Sequence, residues 1–282
     1  MTTFTIHNDA DADQPYVTRI TRLLDIAAPL AEKHSRLRLP DRVTVRICTP
    51  DQVIGLMVAH TEHLLREAAE SWAPGSPERT RTAGMIERLV ADTQRQTERY
   101  WPTVQAAVLC LPGGPELAVM PAAHAESRAS DRYLTGALGH ELVHFGQLGR
   151  WPGMGHAAVR CGVADEIAGL TPEQFRAPKL VSEGHAQWVQ RLIVQELCGI
   201  ATADVQLDGE PEPTTLFLDL KAESPRAAAY DRGDAFVEAL FAIGGYPLID
   251  HLLGDEALLP VAAELGDPAS WLERHGLAAL GA

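Results

Sequence analysis

Two histidines and a glutamate near the middle of the sequence are spaced as in a hydrolytic metal site. Residues 139–144 read Gly-His-Glu-Leu-Val-His. On an α-helix, residues four apart lie on one face, so His140 and His144 would both point at one metal ion. Glu141 would lie beside that face, within reach of a water molecule on the metal. The pattern predicts a zinc-dependent hydrolytic site with Glu141 as the general base.

The residues around this motif predict the helix that it requires. There is no proline from residue 130 to residue 148, and the small residues Gly136, Ala137 and Gly139 adjoin the histidines. We expect these small residues to leave room for a metal ion and a substrate. The competing interpretation is a helix with two solvent-facing histidines. The predicted buried stripe, at helical spacing, consists of Tyr133, Leu134, Leu138, Leu142 and Phe145.

A zinc site needs a third protein ligand, and the sequence offers more than one. Glu183 lies in Leu-Val-Ser-Glu-Gly-His-Ala-Gln-Trp, residues 180–188, and we expect it in the first turn of a helix over about residues 181–197. Glu166 is the second candidate, and His156 is a third. A third histidine three residues after a glycine, as in metzincins, is excluded because Gln147 and Arg150 occupy those two positions.

Taken together, these segments resemble the gluzincin metallopeptidases, most closely the peptidase-MA-like group. Residues 182–188, Ser-Glu-Gly-His-Ala-Gln-Trp, are similar to the run that carries the third zinc ligand in that group. Residues 230–237, Tyr-Asp-Arg-Gly-Asp-Ala-Phe-Val, are similar to a later helix of the same relatives. The resemblance spans roughly residues 130–253 in short islands, and the first 125 residues show none.

The resemblance implies a site and an activity. His140, His144 and Glu183 would bind one zinc ion, Glu141 would be the base, and the substrate would be a peptide. Tyr230 becomes a candidate donor to the oxyanion because of its place in the later segment. The long run between the second and third ligands departs from the family pattern. We therefore keep two alternatives, a zinc-binding accessory or maturation protein without peptidase activity, and a zinc amidase or esterase acting on a small molecule.

Composition excludes some partners. The net charge of −14 makes nucleic acid and anionic membranes unsuitable partners, and 46% hydrophobic residues indicate a folded protein. The N-terminal residues have no apolar core of a signal peptide, and four widely spaced cysteines fit a reducing compartment, so we expect a cytoplasmic protein. The sequence leaves the oligomeric state open.

The hydrophobic pattern predicts an α+β architecture, and the resemblance implies that it is zincin-like. Residues 1–14 would be a flexible tail, residues 15–150 an N-terminal lobe with a small sheet, and residues 151–282 a helical lobe, with the active-site cleft between the lobes. A hairpin would precede the metal helix. Its edge strand could pair with an extended substrate, as in zincins, or the hairpin could merely close the sheet. The predicted elements are helices over 15–35, 51–71 and 77–100, and strands over 43–47, 107–111 and 116–120.

Overall fold

Helices and one small sheet make up the computed structural model, which describes residues 2–199, 212–223 and 226–277. The α+β class predicted from the sequence is confirmed. The strands are β1 (Thr3–Asn8), β2 (Arg42–Ile47), β3 (Ala106–Leu111) and β4 (Gly114–Val119), and the helices are α1 (Gln14–Ser35), α2 (Pro50–Ser71), α3 (Pro77–Tyr100), α4 (Pro121–Ser127), α5 (Asp131–Arg150), α6 (Met154–Ile167), α7 (Pro178–Cys198), α8 (Thr215–Glu223), α9 (Arg226–Gly244), α10 (Tyr246–Leu252) and α11 (Pro268–Arg274).

The sheet has the strand order β1-β2-β4-β3. Strand β2 pairs in parallel with β1 and with β4, whereas β3 and β4 form the predicted antiparallel hairpin. Val43, Val45 and Ile47 of β2 are buried and alternate with more exposed residues, as a strand with one face in the core requires. The topology leaves β3 at an edge of the sheet.

The N-terminal residues contain a strand, so the predicted flexible tail over residues 1–14 is wrong for the residues that the structure describes. Strand β1 pairs with β2 along its whole length, and the N–H group of Thr3 donates to the carbonyl of Asp41 at 2.9 Å. Phe4 and Ile6 point to the more buried side. Two apolar residues are too few for a strong period-two signal, so the pairing with β2 determines this strand.

The chain forms two compact units, each made of three stretches of sequence. Unit 1 comprises Met1–His63, Glu87–Gly146 and Val189–Pro225. It contains the sheet, with the buried side chains of α1 and the first part of α5 in its core. The predicted lobes, 15–150 and 151–282, differ from these units in extent, because residues 64–86 belong with the C-terminal stretches.

Unit 2 comprises Leu64–Ile86, Gln147–Trp188 and Arg226–Ala282. Its core includes Phe236 and Trp271, both fully buried, whose rings meet edge to face with centroids 6.1 Å apart. No helix in the described part of either unit is long and apolar enough to cross a membrane.

Within unit 2, α7 and α9 touch backbone to backbone. A Cβ atom on Gly184 would lie 2.1 Å from the carbonyl carbon of Gly233, and one on Gly233 would lie 1.9 Å from the carbonyl oxygen of Leu180. Neither position has space for a side chain, and the obstructing atoms are backbone atoms that do not rotate away. This contact explains why a glycine follows Glu183 and why another one occurs in the first half of α9.

We predict that Gly184→Ala and Gly233→Ala each lower the free energy of unfolding by about 3 kcal/mol. The added methyl group would clash with backbone atoms, and the two helices would have to move apart to relieve the clash. Urea unfolding followed by circular dichroism measures this loss. Gly162→Ala on α6 is the matched control, since no atom lies within 4 Å of the added Cβ. It should leave stability unchanged or raise it by up to about 1 kcal/mol. A Gly184→Ala protein as stable as wild type would contradict the backbone contact.

Candidate metal centre

Helix α5 carries the two histidines, and its start is fixed by charge. Asp131, its first residue, accepts a hydrogen bond from Arg19 at 2.6 Å and pairs with Arg22, both on α1. A carboxylate at a helix N-terminus also interacts favourably with the helix dipole. The predicted apolar stripe is confirmed in its centre, where Leu134, Leu138 and Leu142 are fully buried.

His140 and His144 face each other as the four-residue spacing predicts. Their Nε2 atoms are 3.3 Å apart, and the rings meet edge to face at 78° with centroids 5.0 Å apart. Two nitrogens bound to one tetrahedral zinc ion at about 2.05 Å would be about 3.3 Å apart. The two rings are therefore spaced for a shared metal ion. The same separation also fits a hydrogen bond between the imidazoles. A third metal-ligand atom close to both nitrogens is needed to distinguish a metal site from that hydrogen bond.

Glu183 supplies that third ligand atom. One ligand atom from each of His140, His144 and Glu183 lies within 4.8 Å of the other two, so this group could hold a metal ion. His140 is buried, and the other two residues are half-buried. Helix α7 begins at Pro178, so Glu183 lies in its second turn and not in the predicted first turn. The earlier start is compatible with proline, which is tolerated at the first helical position.

The other candidate ligands lie outside this group. Glu166 on α6 is about half exposed and pairs with Arg81. His156, also on α6, has its Nδ1 3.7 Å from the carboxylate of Glu67, and burial lowers the pKa of His156. Tyr230, the candidate oxyanion donor, is half-buried on α9. Its role remains a prediction.

Glu141 is held by the edge strand. Its Oε2 accepts a hydrogen bond of 2.8 Å from the backbone N–H of Val108 in β3. The next N–H on the same side of β3, that of Cys110, donates to Nδ1 of His60 on α2 at 2.8 Å. Alternate residues of a strand point their N–H groups to the same side, so these two donors are the ones that an added strand would use. Side chains of the protein itself already occupy both.

The glycines next to the histidines serve helix packing within unit 1. A Cβ atom on Gly136 would lie 2.8 Å from Cγ2 of Val194, and one on Gly139 would lie 2.4 Å from Cδ1 of Ile193. The expectation that these residues leave room for metal and substrate is therefore wrong. Their missing side chains instead admit two branched residues of α7, because close helix packing needs small residues at the contact.

Gln147 is a buried residue close to the candidate ligands, and the sequence analysis used it only to exclude a different pattern. It is 1% exposed and lies three residues after His144. Its Nε2 donates to the carbonyl of Ser182 at 3.0 Å and lies 3.1 Å from Nδ1 of His185, while its Oε1 accepts from the hydroxyl of Ser182 at 2.8 Å. A buried glutamine at helical spacing from the histidines was the available signal.

Comparisons with known proteins give no family for this chain. No family model matches the sequence, and no curated protein matches it. One solved structure, a "putative hydrolase with a novel fold" from Chloroflexus aurantiacus, is similar with a TM-score of 0.48 and 14% sequence identity, over 95% of this chain and 93% of that one. A likeness at this level carries no argument about what the chain does, which leaves the geometry of the site as the basis for its function.

We predict that the protein purified without added metal contains about one zinc ion per chain, held by three protein ligands. Glu183→Ala should not retain the metal through purification, because two imidazoles alone bind it only weakly. Glu166→Ala, a matched carboxylate removal on α6, should keep it. Elemental analysis of the three proteins measures the difference. Metal loss in Glu166→Ala alone would assign the third ligand to α6 and contradict the geometry above.

Proposed function

We propose that this protein is a zinc-dependent hydrolase of amide or ester bonds, with His140, His144 and Glu183 as the ligands and Glu141 as the general base. The observation that supports it is the approach of the three donor groups to within 4.8 Å of one another, with a carboxylate on the next residue of the same helix. Three protein ligands leave a coordination position for water or substrate, which is the arrangement of catalytic zinc sites and not of structural ones.

The donor set disfavours magnesium and calcium, and Glu141 between the two histidines favours zinc among the ions that imidazole binds. Imidazole nitrogens combined with a carboxylate suit zinc, whereas sites for magnesium or calcium are built from oxygen ligands. The 3.3 Å separation of the two Nε2 atoms fits the same choice. A zinc ion bound there would polarise the carbonyl group of a substrate. It would also lower the pKa of a bound water molecule, so that hydroxide could form and attack the carbonyl carbon.

A hydrogen bond that orients its carboxylate supports the proposed role of Glu141 as the base. Its bond from the Val108 N–H fixes the carboxylate beside the histidine face of α5. A carboxylate offers about four acceptor positions, so this bond leaves Glu141 able to accept the proton of the attacking water. Returning that proton to the leaving nitrogen would complete the hydrolysis, with Glu141 as the group that moves it. Tyr230 is the candidate donor to the oxyanion, which is supported by the resemblance of residues 230–237 to a later helix of the gluzincins.

Two classes of substrate are compatible with this proposal. The resemblance to gluzincin metallopeptidases favours a peptide. The second candidate is a small amide or ester, and the edge of β3 favours it. An extended peptide binds a sheet edge through backbone N–H and C=O groups. Here the N–H groups of Val108 and Cys110 already donate to Glu141 and His60, so a peptide would have to displace those side chains or bind without adding a strand.

We predict that Glu141→Gln lowers kcat by about 10²–10⁴-fold, the usual contribution of a positioned general base. Zinc content should stay at the wild-type level, because Glu141 is not a ligand. Glu166→Gln is the matched control and should retain full activity. Hydrolysis is measured on zinc-loaded protein, and a Glu141→Gln protein that keeps wild-type turnover would contradict the assignment of the base.

The same assay separates the candidate functions. Unfolded casein and a panel of small amides and esters are offered to the zinc-loaded wild type. Cleavage of casein would support the peptidase, while turnover of small amides or esters alone would support the second candidate. Stoichiometric zinc with turnover of neither would identify a zinc-binding protein without hydrolase activity.

A further inference from the structure

The side-chain amide of Gln147 makes polar contacts with α7. Three short hydrogen-bond distances join its amide to two residues of α7, Ser182 and His185. These two residues flank Glu183 on both sides in the sequence. Gln147 and His185 are almost completely buried, so an apolar residue at position 147 would remove hydrogen bonds made in the interior of the protein.

The bond with Ser182 is reciprocal, which makes it specific for an amide. The Gln147 side chain donates through Nε2 to the backbone carbonyl of Ser182 and accepts through Oε1 from its hydroxyl. Only asparagine and glutamine carry a donor and an acceptor in this arrangement, and asparagine is one methylene shorter. The two hydrogen bonds therefore restrict both the shift of the second turn of α7 along its own axis and its rotation, relative to Gln147.

Gln147 also lies close to the histidines along α5. It lies three positions after His144, which is a rise of about 4.5 Å along the helix. A helix is stiff over this length, so the position of Gln147 follows that of the histidine. The amide thus ties the segment that bears Glu183 to the helix that bears the other two donors.

We propose that Gln147 is a positioning residue for the metal centre, which acts through Ser182 and His185 to hold Glu183 at binding distance. This inference rests on the proposed function, because it assumes that Glu183 is a ligand. Gln147 itself is not a ligand. Outer groups that orient metal ligands typically contribute 10–100-fold to metal affinity, so its removal should have a measurable effect.

A double-mutant cycle on Zn²⁺ affinity tests the proposal. The affinity is measured by competition with a chromophoric chelator, for wild type, Gln147→Met, Glu183→Ala and the double variant. Methionine has a similar volume and no amide. We expect Gln147→Met to weaken Zn²⁺ binding by about 10–100-fold in the wild-type background and by less than about twofold in the Glu183→Ala background. Equal losses in both backgrounds would overturn the proposal, because Gln147 would then not act through Glu183.

Two further variants control for folding. Gln190→Met replaces a second buried glutamine, which lies on α7 with its side chain against Gly136, and should leave Zn²⁺ affinity unchanged. Ser182→Ala removes only the hydrogen bond from the Ser182 hydroxyl to Gln147. This milder variant is used if Gln147→Met is too unstable to purify. It should weaken Zn²⁺ binding in the same direction, and wild-type affinity in Ser182→Ala and in any folded Gln147→Met would overturn the proposal.

The outcomes distinguish this inference from the proposed function. A wild type that binds no Zn²⁺, or a Glu183→Ala protein that binds it as tightly as wild type, would refute the metal site. Zn²⁺ binding that depends on Glu183 but is unaffected by Gln147→Met would refute only the positioning role.

Discussion

The close contact between α5 and α7 determines where the donors of the candidate metal site lie. One helix supplies two imidazoles at a spacing that its own geometry fixes, and the other must bring a carboxylate to them. Gly136 and Gly139 admit branched side chains of α7, and Gln147 bonds its second turn. Steric fit in unit 1 and a buried amide in unit 2 therefore act at different points along the same pair of helices.

The sequence predicted the parts of this arrangement that depend on local spacing. Histidines four apart, an apolar stripe and a proline-free segment indicate helix α5 and its metal-binding face, and alternation indicates β2 and the hairpin. The parts that depend on distant contacts were missed or misread. Nothing near Gly139 shows that Ile193 fills the space beside it, and nothing near Gln147 shows that Ser182 is its partner. The choice between Glu183 and Glu166 was open for the same reason.

The edge strand connects the sheet to the chemistry of the site. Strand β3 gives the N–H of Val108 to Glu141, so the sheet orients the proposed base instead of only closing the fold. The same hydrogen bond uses a group that an extended substrate would need. The hydrogen bond from Val108 thus supports the proposed role of Glu141 as the base. It also restricts the pairing of an extended substrate with the edge of β3.

The most direct test of this account is a crystal structure of the zinc-loaded protein with anomalous diffraction at the zinc edge. We expect one strong anomalous peak, bonded to Nε2 of His140 and His144 and to the carboxylate of Glu183 at about 2.0–2.2 Å. A peak at another site would contradict the account. So would a zinc-saturated crystal in which the two imidazoles stay hydrogen-bonded to each other and bind no metal.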